Sequence, residues 1–174
     1  MENVPWSNWK RDTGGSGRDP MVLADGGKFY MYFTADAKEG PETGVVAVWE
    51  SDDLLHWSNP RIAVRGNIAC ESPHVWKSGD TYYMFTSAQG ADTWSSKHPV
   101  TGWTRTPIPR APVGEVEKYV RTSGGYAEEL VRLDDGTLVL AALTFRRWGN
   151  SIYFFKVETD KDGRTVGYRS PFEF

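Results

Sequence analysis

The chain has 174 residues, with 20 Lys and Arg against 23 Asp and Glu, a net charge of −3 and an isoelectric point near 5.6. That length suits one domain with a sizeable core, and no basic run interleaves with the aromatics as a nucleic-acid surface requires. No apolar stretch approaches the ~18 residues that cross a bilayer, and Cys70, the only cysteine, excludes an internal disulfide. Neither nucleic acid nor membrane is therefore an expected partner, and the amino terminus, which shows no charged-then-apolar leader, reads as soluble and cytoplasmic as given, with no signal peptide.

Residues 1–17 carry Trp6 and Trp9 ahead of Lys10-Arg11-Asp12 and read as an outer strand belonging to a preceding structural unit. Arg18-Asp19-Pro20 then opens an apolar strand, Asp25-Gly26 marks a tight turn, and Phe29-Tyr30-Met31-Tyr32-Phe33-Thr34 is an aromatic strand. Trp49-Glu50-Ser51 follows, then Trp57. The same grammar returns with Glu71-Ser72-Pro73, the strand Tyr82-Tyr83-Met84-Phe85-Thr86-Ser87, and Trp94 and Trp103 in place of Trp49 and Trp57. A weaker third copy runs from Tyr126-Ala127-Glu128-Glu129 through the turn Asp134-Asp135-Gly136 to a strand holding Tyr153-Phe154-Phe155, with Asp162-Gly163 as a further turn signal.

The repeat length of roughly 50 residues falls in the range of propeller blades. The predicted fold is all-β, a β-propeller of four-stranded antiparallel blades with about twelve strands and about three to four blades in this chain. It forms a single β-propeller domain over 1–174, with blade-like copies at about 18–65, 66–121 and 122–170, and 1–17 as the outer strand of a preceding blade. The repeat is expected to bring Asp19 and Glu71 to equivalent places in successive blades. Strand alternation from Glu71 puts His74 on the opposite face, as a packing residue. The matched tryptophans Trp49, Trp57, Trp94 and Trp103 are expected between blades.

Arg18-Asp19-Pro20 at a strand opening, an acid-bearing strand one blade later, and Ser51-Asp52-Asp53-Leu54-Leu55-His56-Trp57 together resemble the β-fructosidase superfamily, the five-bladed propeller glycoside hydrolases of families 32, 43 and 68. The resemblance runs from about Trp9 to Val157 and implies a ring of blades whose innermost strands carry acids into a central funnel. Carried over by motif, Asp19 is the transition-state stabiliser and Glu71 the general acid. Substrate contacts are expected from Arg18, Glu129, Trp76 and Trp148. Glycosidic cleavage needs one carboxyl held protonated and one ionised carboxylate facing the developing positive charge. The family's first-blade Asp, its nucleophile or base, has no counterpart: Asp12 matches no family motif. By this reading the chain lacks the first blade, and three copies form an open arc with three resolutions: the chain is a fragment of a longer protein, a second copy closes the ring as a homodimer, or the blades are arranged in a way the family does not predict.

The implied function is hydrolysis of furanose- or pentose-containing oligosaccharides, with the balance toward an enzyme. The alternatives are a catalytically incomplete carbohydrate-binding propeller and a protein-interaction propeller. No cofactor is expected. His56, His74 and His98 lack the spacing of metal ligands, so no metal is expected either, and Gly14-Gly15-Ser16-Gly17 precedes a strand and not the helix of a phosphate loop.

Overall fold

The computed structural model describes residues 1, 4–10, 17–40, 42–58, 60–66, 70–87, 93–106, 126–146, 149–161 and 165–171. These hold three four-stranded antiparallel sheets and no helix. They fall into two compact units, residues 1–106 and 107–174.

In the first unit, one sheet is built from β1 (Gly17–Asp25), β2 (Lys28–Asp36), β3 (Gly44–Ser51) and β4 (Arg61–Arg65), and the other from β5 (Glu71–Ser78), β6 (Thr81–Ser87), β7 (Thr93–Ser96) and β8 (Thr104–Arg105). Strands pair in chain order, as a meander whose connections are short enough for hairpins. The β1–β2 turn depends on Gly26 and Gly27, whose φ values of 59° and 77° are cheap only without a Cβ.

Alternation along β2 decides how the two sheets meet. Tyr30 and Tyr32 on one face, with Val46, Val48 and Val64, pack against Val75, Met84 and Trp94 of the second sheet and Val100 of its β7–β8 connection, with Met21, Leu23 and Trp103 at the margin. Tyr32 is fully buried, and its hydroxyl donates to the Pro99 carbonyl at 2.7 Å, so burial leaves its polar tip satisfied. The opposite face of the first sheet, with Phe33, Ala35, Val45, Ala47 and Trp49, is packed by Met1 and Trp6. Residues 6–8 bond to the end of β2 and the residues after it, Asn8 N to Asp36 O at 2.9 Å and Lys38 N to Trp6 O at 2.9 Å. The pairings Met31↔Trp49 and Met84↔Trp94 confirm the matched tryptophans. Trp94 packs between the two sheets, whereas Trp49 lies against Phe33 at 4.8 Å and Trp57 at 6.5 Å.

The second unit contains β9 (Tyr126–Arg132), β10 (Leu138–Arg146), β11 (Gly149–Thr159) and β12 (Thr165–Pro171). Gly136 (φ 85°) turns β9 into β10, and Thr137 N donates to Asp135 Oδ1 at 2.8 Å. The register places Leu140 and Phe155 opposite one another, both fully buried, with Ala142 and Val157 on the same face. The turn expected at Asp162-Gly163 lies outside the described residues.

Every first strand begins with the same distortion. Arg18 pairs Thr34 and Met21 pairs Tyr32, so three steps on β1 oppose two on β2; Glu71 to His74 on β5 and Tyr126 to Glu129 on β9 repeat the pattern. One extra residue is inserted each time, a β-bulge, and Asp19, Ser72 and Ala127 take left-handed φ values of 54°, 48° and 46°. This bulge corrects two expectations. Asp19 is equivalent to Ser72, and Glu71 to Arg18, so the two acids sit one position apart in their strands. Because Ser87 and Phe85, the partners of Glu71 and His74, are two residues apart on β6, His74 shares the face of Glu71 and does not oppose it.

Candidate active site

The strand entrances of β1 and β5 meet at one charged cluster. Arg18 sits between the two acids: its Nη2 donates to Glu71 Oε1 at 2.7 Å and its Nε lies 3.5 Å from Asp19 Oδ2. Two carboxylates thus share one guanidinium, whose planar fork can hold both where a point charge could not. The side chains are 45% (Arg18), 35% (Asp19) and 24% (Glu71) exposed, so the cluster is both fixed and open to solvent.

Asp19 is held by one oxygen. Thr34 Oγ1 donates to Oδ2 at 3.0 Å, and Ser72 Oγ donates to the same atom at 3.2 Å. The Ser72 amide donates to Thr34 Oγ1 at 2.9 Å. Among the described residues Asp19 Oδ1 receives no hydrogen bond, which leaves it able to face a cationic or hydroxylated ligand. Sequence reasoning missed Thr34 and Ser72. The available signal was that Thr34 and Ser87, hydroxyl residues, end the two matching aromatic strands.

Trp76 belongs to an aromatic face of the second sheet, 4.6 Å from Phe85, 5.4 Å from Tyr83 and 6.4 Å from His74 between ring centroids. The register puts this face on the Glu71 side of the sheet. In the second unit Glu129 is exposed at its strand entrance, while its neighbour Glu128 is 1% exposed. Trp148 and Asp12 lie outside the described residues.

The Ser51–Trp57 segment is stapled mainly by its own side chains. Asp53 Oδ1 accepts from the amides of Leu55 and His56, both at 2.8 Å, Ser51 Oγ accepts from Leu54 N at 2.9 Å, and Trp57 Nε1 donates to the Leu54 carbonyl at 3.1 Å. The bond from His56, first, and then the backbone amides hold the Asp53 carboxyl well below its ordinary range, and Asp53 raises His56 in return. Asp53 is used within the loop, on its amides and on His56, whereas Asp52 reaches out to Lys28 of β2, with Nζ 3.3 Å from Oδ1. Among the described residues no cluster of His, Cys, Asp or Glu could hold a metal ion, and no helix is long and apolar enough to cross a membrane.

The family model described as the glycosyl hydrolases family 32 N-terminal domain matches residues 3–145. Similar solved structures include a thermostable family-43 glycoside hydrolase (18% identity, TM-score 0.69, covering 95% of this chain and 62% of that one). An α-L-arabinofuranosidase from Lactobacillus brevis is also similar (12% identity, TM-score 0.71, 94% and 59%). So is a xylan β-1,4-xylosidase from Bacillus halodurans C-125 (19% identity, TM-score 0.68, 91% and 37%). No curated protein matches the sequence. The likeness establishes the fold, an all-β partial β-propeller. The chain spans less than two thirds of the length of each of these three structures.

Proposed function

The chain belongs to the glycosyl hydrolases family 32 N-terminal domain family, and from that premise we propose that the Asp19–Arg18–Glu71 cluster is the working part of a glycosidase acting on furanose- or pentose-containing oligosaccharides. One observation carries the reading: the two acids, 52 residues apart in sequence, converge on a single guanidinium at a solvent-open edge. In this reading Glu71 protonates the leaving oxygen and Asp19 faces the positive charge that grows on the sugar ring, while a third carboxylate attacks or activates water. Arg18 also contributes donors for substrate hydroxyls, and Trp76 is a further substrate contact of the proposal. The similar structures of a xylosidase, an arabinofuranosidase and an arabinanase support pentose-containing substrates.

A second reading is carbohydrate binding without cleavage. It is favoured by the cluster itself, which among the described residues of the first unit joins two carboxylates where the proposed mechanism uses three. Glu71→Gln separates these cases, assayed with aryl arabinofuranosides and fructosides alongside oligosaccharide binding. Lost turnover with retained binding supports the hydrolase, and binding without turnover in either form supports the second reading. No response to any glycan refutes both and leaves protein interaction. Ring completion by a second copy belongs to the same proposal, and a strictly monomeric mass by light scattering sinks it.

A further inference from the structure

We propose that Thr34 is a positioning residue that sets both acids at once, fixing Asp19 by Oδ2 so that Oδ1 serves the substrate, and clamping the peptide that carries Glu71. The proposal rests on the hydrolase reading. Thr34 is 2% exposed, and its hydroxyl sits between the two sheets of the first unit, 3.0 Å from Asp19 Oδ2 and 2.9 Å from Ser72 N. A hydroxyl has one proton. Since the Ser72 amide can only donate, Thr34 Oγ1 accepts there and its own proton is committed to Asp19, which fixes the direction of the relay. The clamped amide is that of the Glu71–Ser72 peptide, so the contact orients the Glu71 backbone directly.

The contact also joins the two left-handed residues, Asp19 at φ 54° and Ser72 at φ 48°. Non-glycine residues persist in that region only where their surroundings over-determine them. Thr34 pairs with Arg18 in the β1–β2 register, which brings the hydroxyl, the guanidinium and both carboxylates to one end of the sheets. Loss of the hydroxyl is therefore expected to loosen the geometry of the acids more than the fold, because the apolar packing of Tyr30, Tyr32, Val46 and Met84 stays in place.

The test uses the whole chain with Thr34→Val, which keeps shape and removes both hydrogen-bonding roles, and Thr34→Ser, which keeps them. With 4-nitrophenyl α-L-arabinofuranoside, Thr34→Val should lower kcat at least about tenfold with KM within about twofold, and Thr34→Ser should return to within about threefold of the parent. Equal kcat in Thr34→Val and the parent, or a serine variant as impaired as the valine, overturns the proposal. Amide hydrogen exchange of Ser72 is read in parallel and should speed up about tenfold in Thr34→Val and recover in Thr34→Ser. A parent chain that releases no nitrophenol counts against the hydrolase reading alone, and the exchange data then decide Thr34, with unchanged Ser72 exchange refuting it. If the valine variant does not fold, Thr34→Ala replaces it with the same expectations.

Discussion

Replacing Arg18 by Lys separates charge from geometry at the cluster. The lysine keeps the positive charge, so the long-range attraction to both carboxylates survives. At ~4 Å between unit charges that attraction is ~1 kcal/mol in water and ~4 kcal/mol at an effective dielectric of about 20. Exposures of 45% for Arg18 and 24% for Glu71 place this pair nearer the aqueous limit. What lysine cannot reproduce is the fork, with Nη2 at 2.7 Å from Glu71 and Nε at 3.5 Å from Asp19. The stability loss should accordingly stay below about 1 kcal/mol, read as a small shift of the urea midpoint with unchanged slope. Turnover should fall about tenfold or more, since ~1.4 kcal/mol of lost positioning suffices for that factor. Aryl arabinofuranoside kinetics beside urea unfolding measure both. A loss of more than about 2 kcal/mol in stability with turnover per folded molecule intact would show that Arg18 is architectural, and the reasoning would be wrong.

Tyr32→Phe removes a fully buried hydroxyl donor, yet the Pro99 carbonyl keeps a second donor, Trp103 Nε1 at 3.2 Å. The cost should therefore be about 0.5–1.5 kcal/mol by chemical denaturation, and a loss above about 3 kcal/mol would mean that the carbonyl is left stranded. Asp25 accepts Lys77 Nζ at 2.8 and 2.9 Å and the Tyr82 hydroxyl at 2.6 Å, and these bonds, Lys77 first, hold its carboxyl below the ordinary 3.8. A depressed acid stabilises the fold above 3.8 and loses that contribution as pH falls from there through the folded value. Lys77→Met should flatten this acid limb, so the change in urea midpoint between about pH 5 and about pH 3 shrinks; an unchanged limb rejects the assignment.

The meander was legible because short aromatic and β-branched runs are punctuated by turn residues. Asp25-Gly26 and Asp135-Gly136 turn as expected, with positive φ at Gly26 and Gly136. The four repeated tryptophans predicted packing, and Trp94 and Trp103 lie at the face between the first two sheets. The bulges were not legible. Nothing in Asp19, Ser72 or Ala127 announces a left-handed backbone, since that conformation comes from pairing with the neighbouring strand and not from the residue's own preference. Counting by twos across a bulge gives the wrong face, which is why His74 was placed opposite Glu71. The Arg18 bridge and Thr34 were hidden for a related reason, because they depend on contacts between sheets, whereas a periodic pattern reports only the face a residue shares with its own strand.

The three left-handed residues have a consequence for how such a protein changes over time. The backbone template at the strand openings is the same whether the residue is Asp19, Ser72 or Ala127, so an acid, an alcohol and a methyl group are interchangeable occupants of one socket. Chemistry can then be gained or lost at a strand opening by a single side-chain exchange that leaves the main-chain path alone.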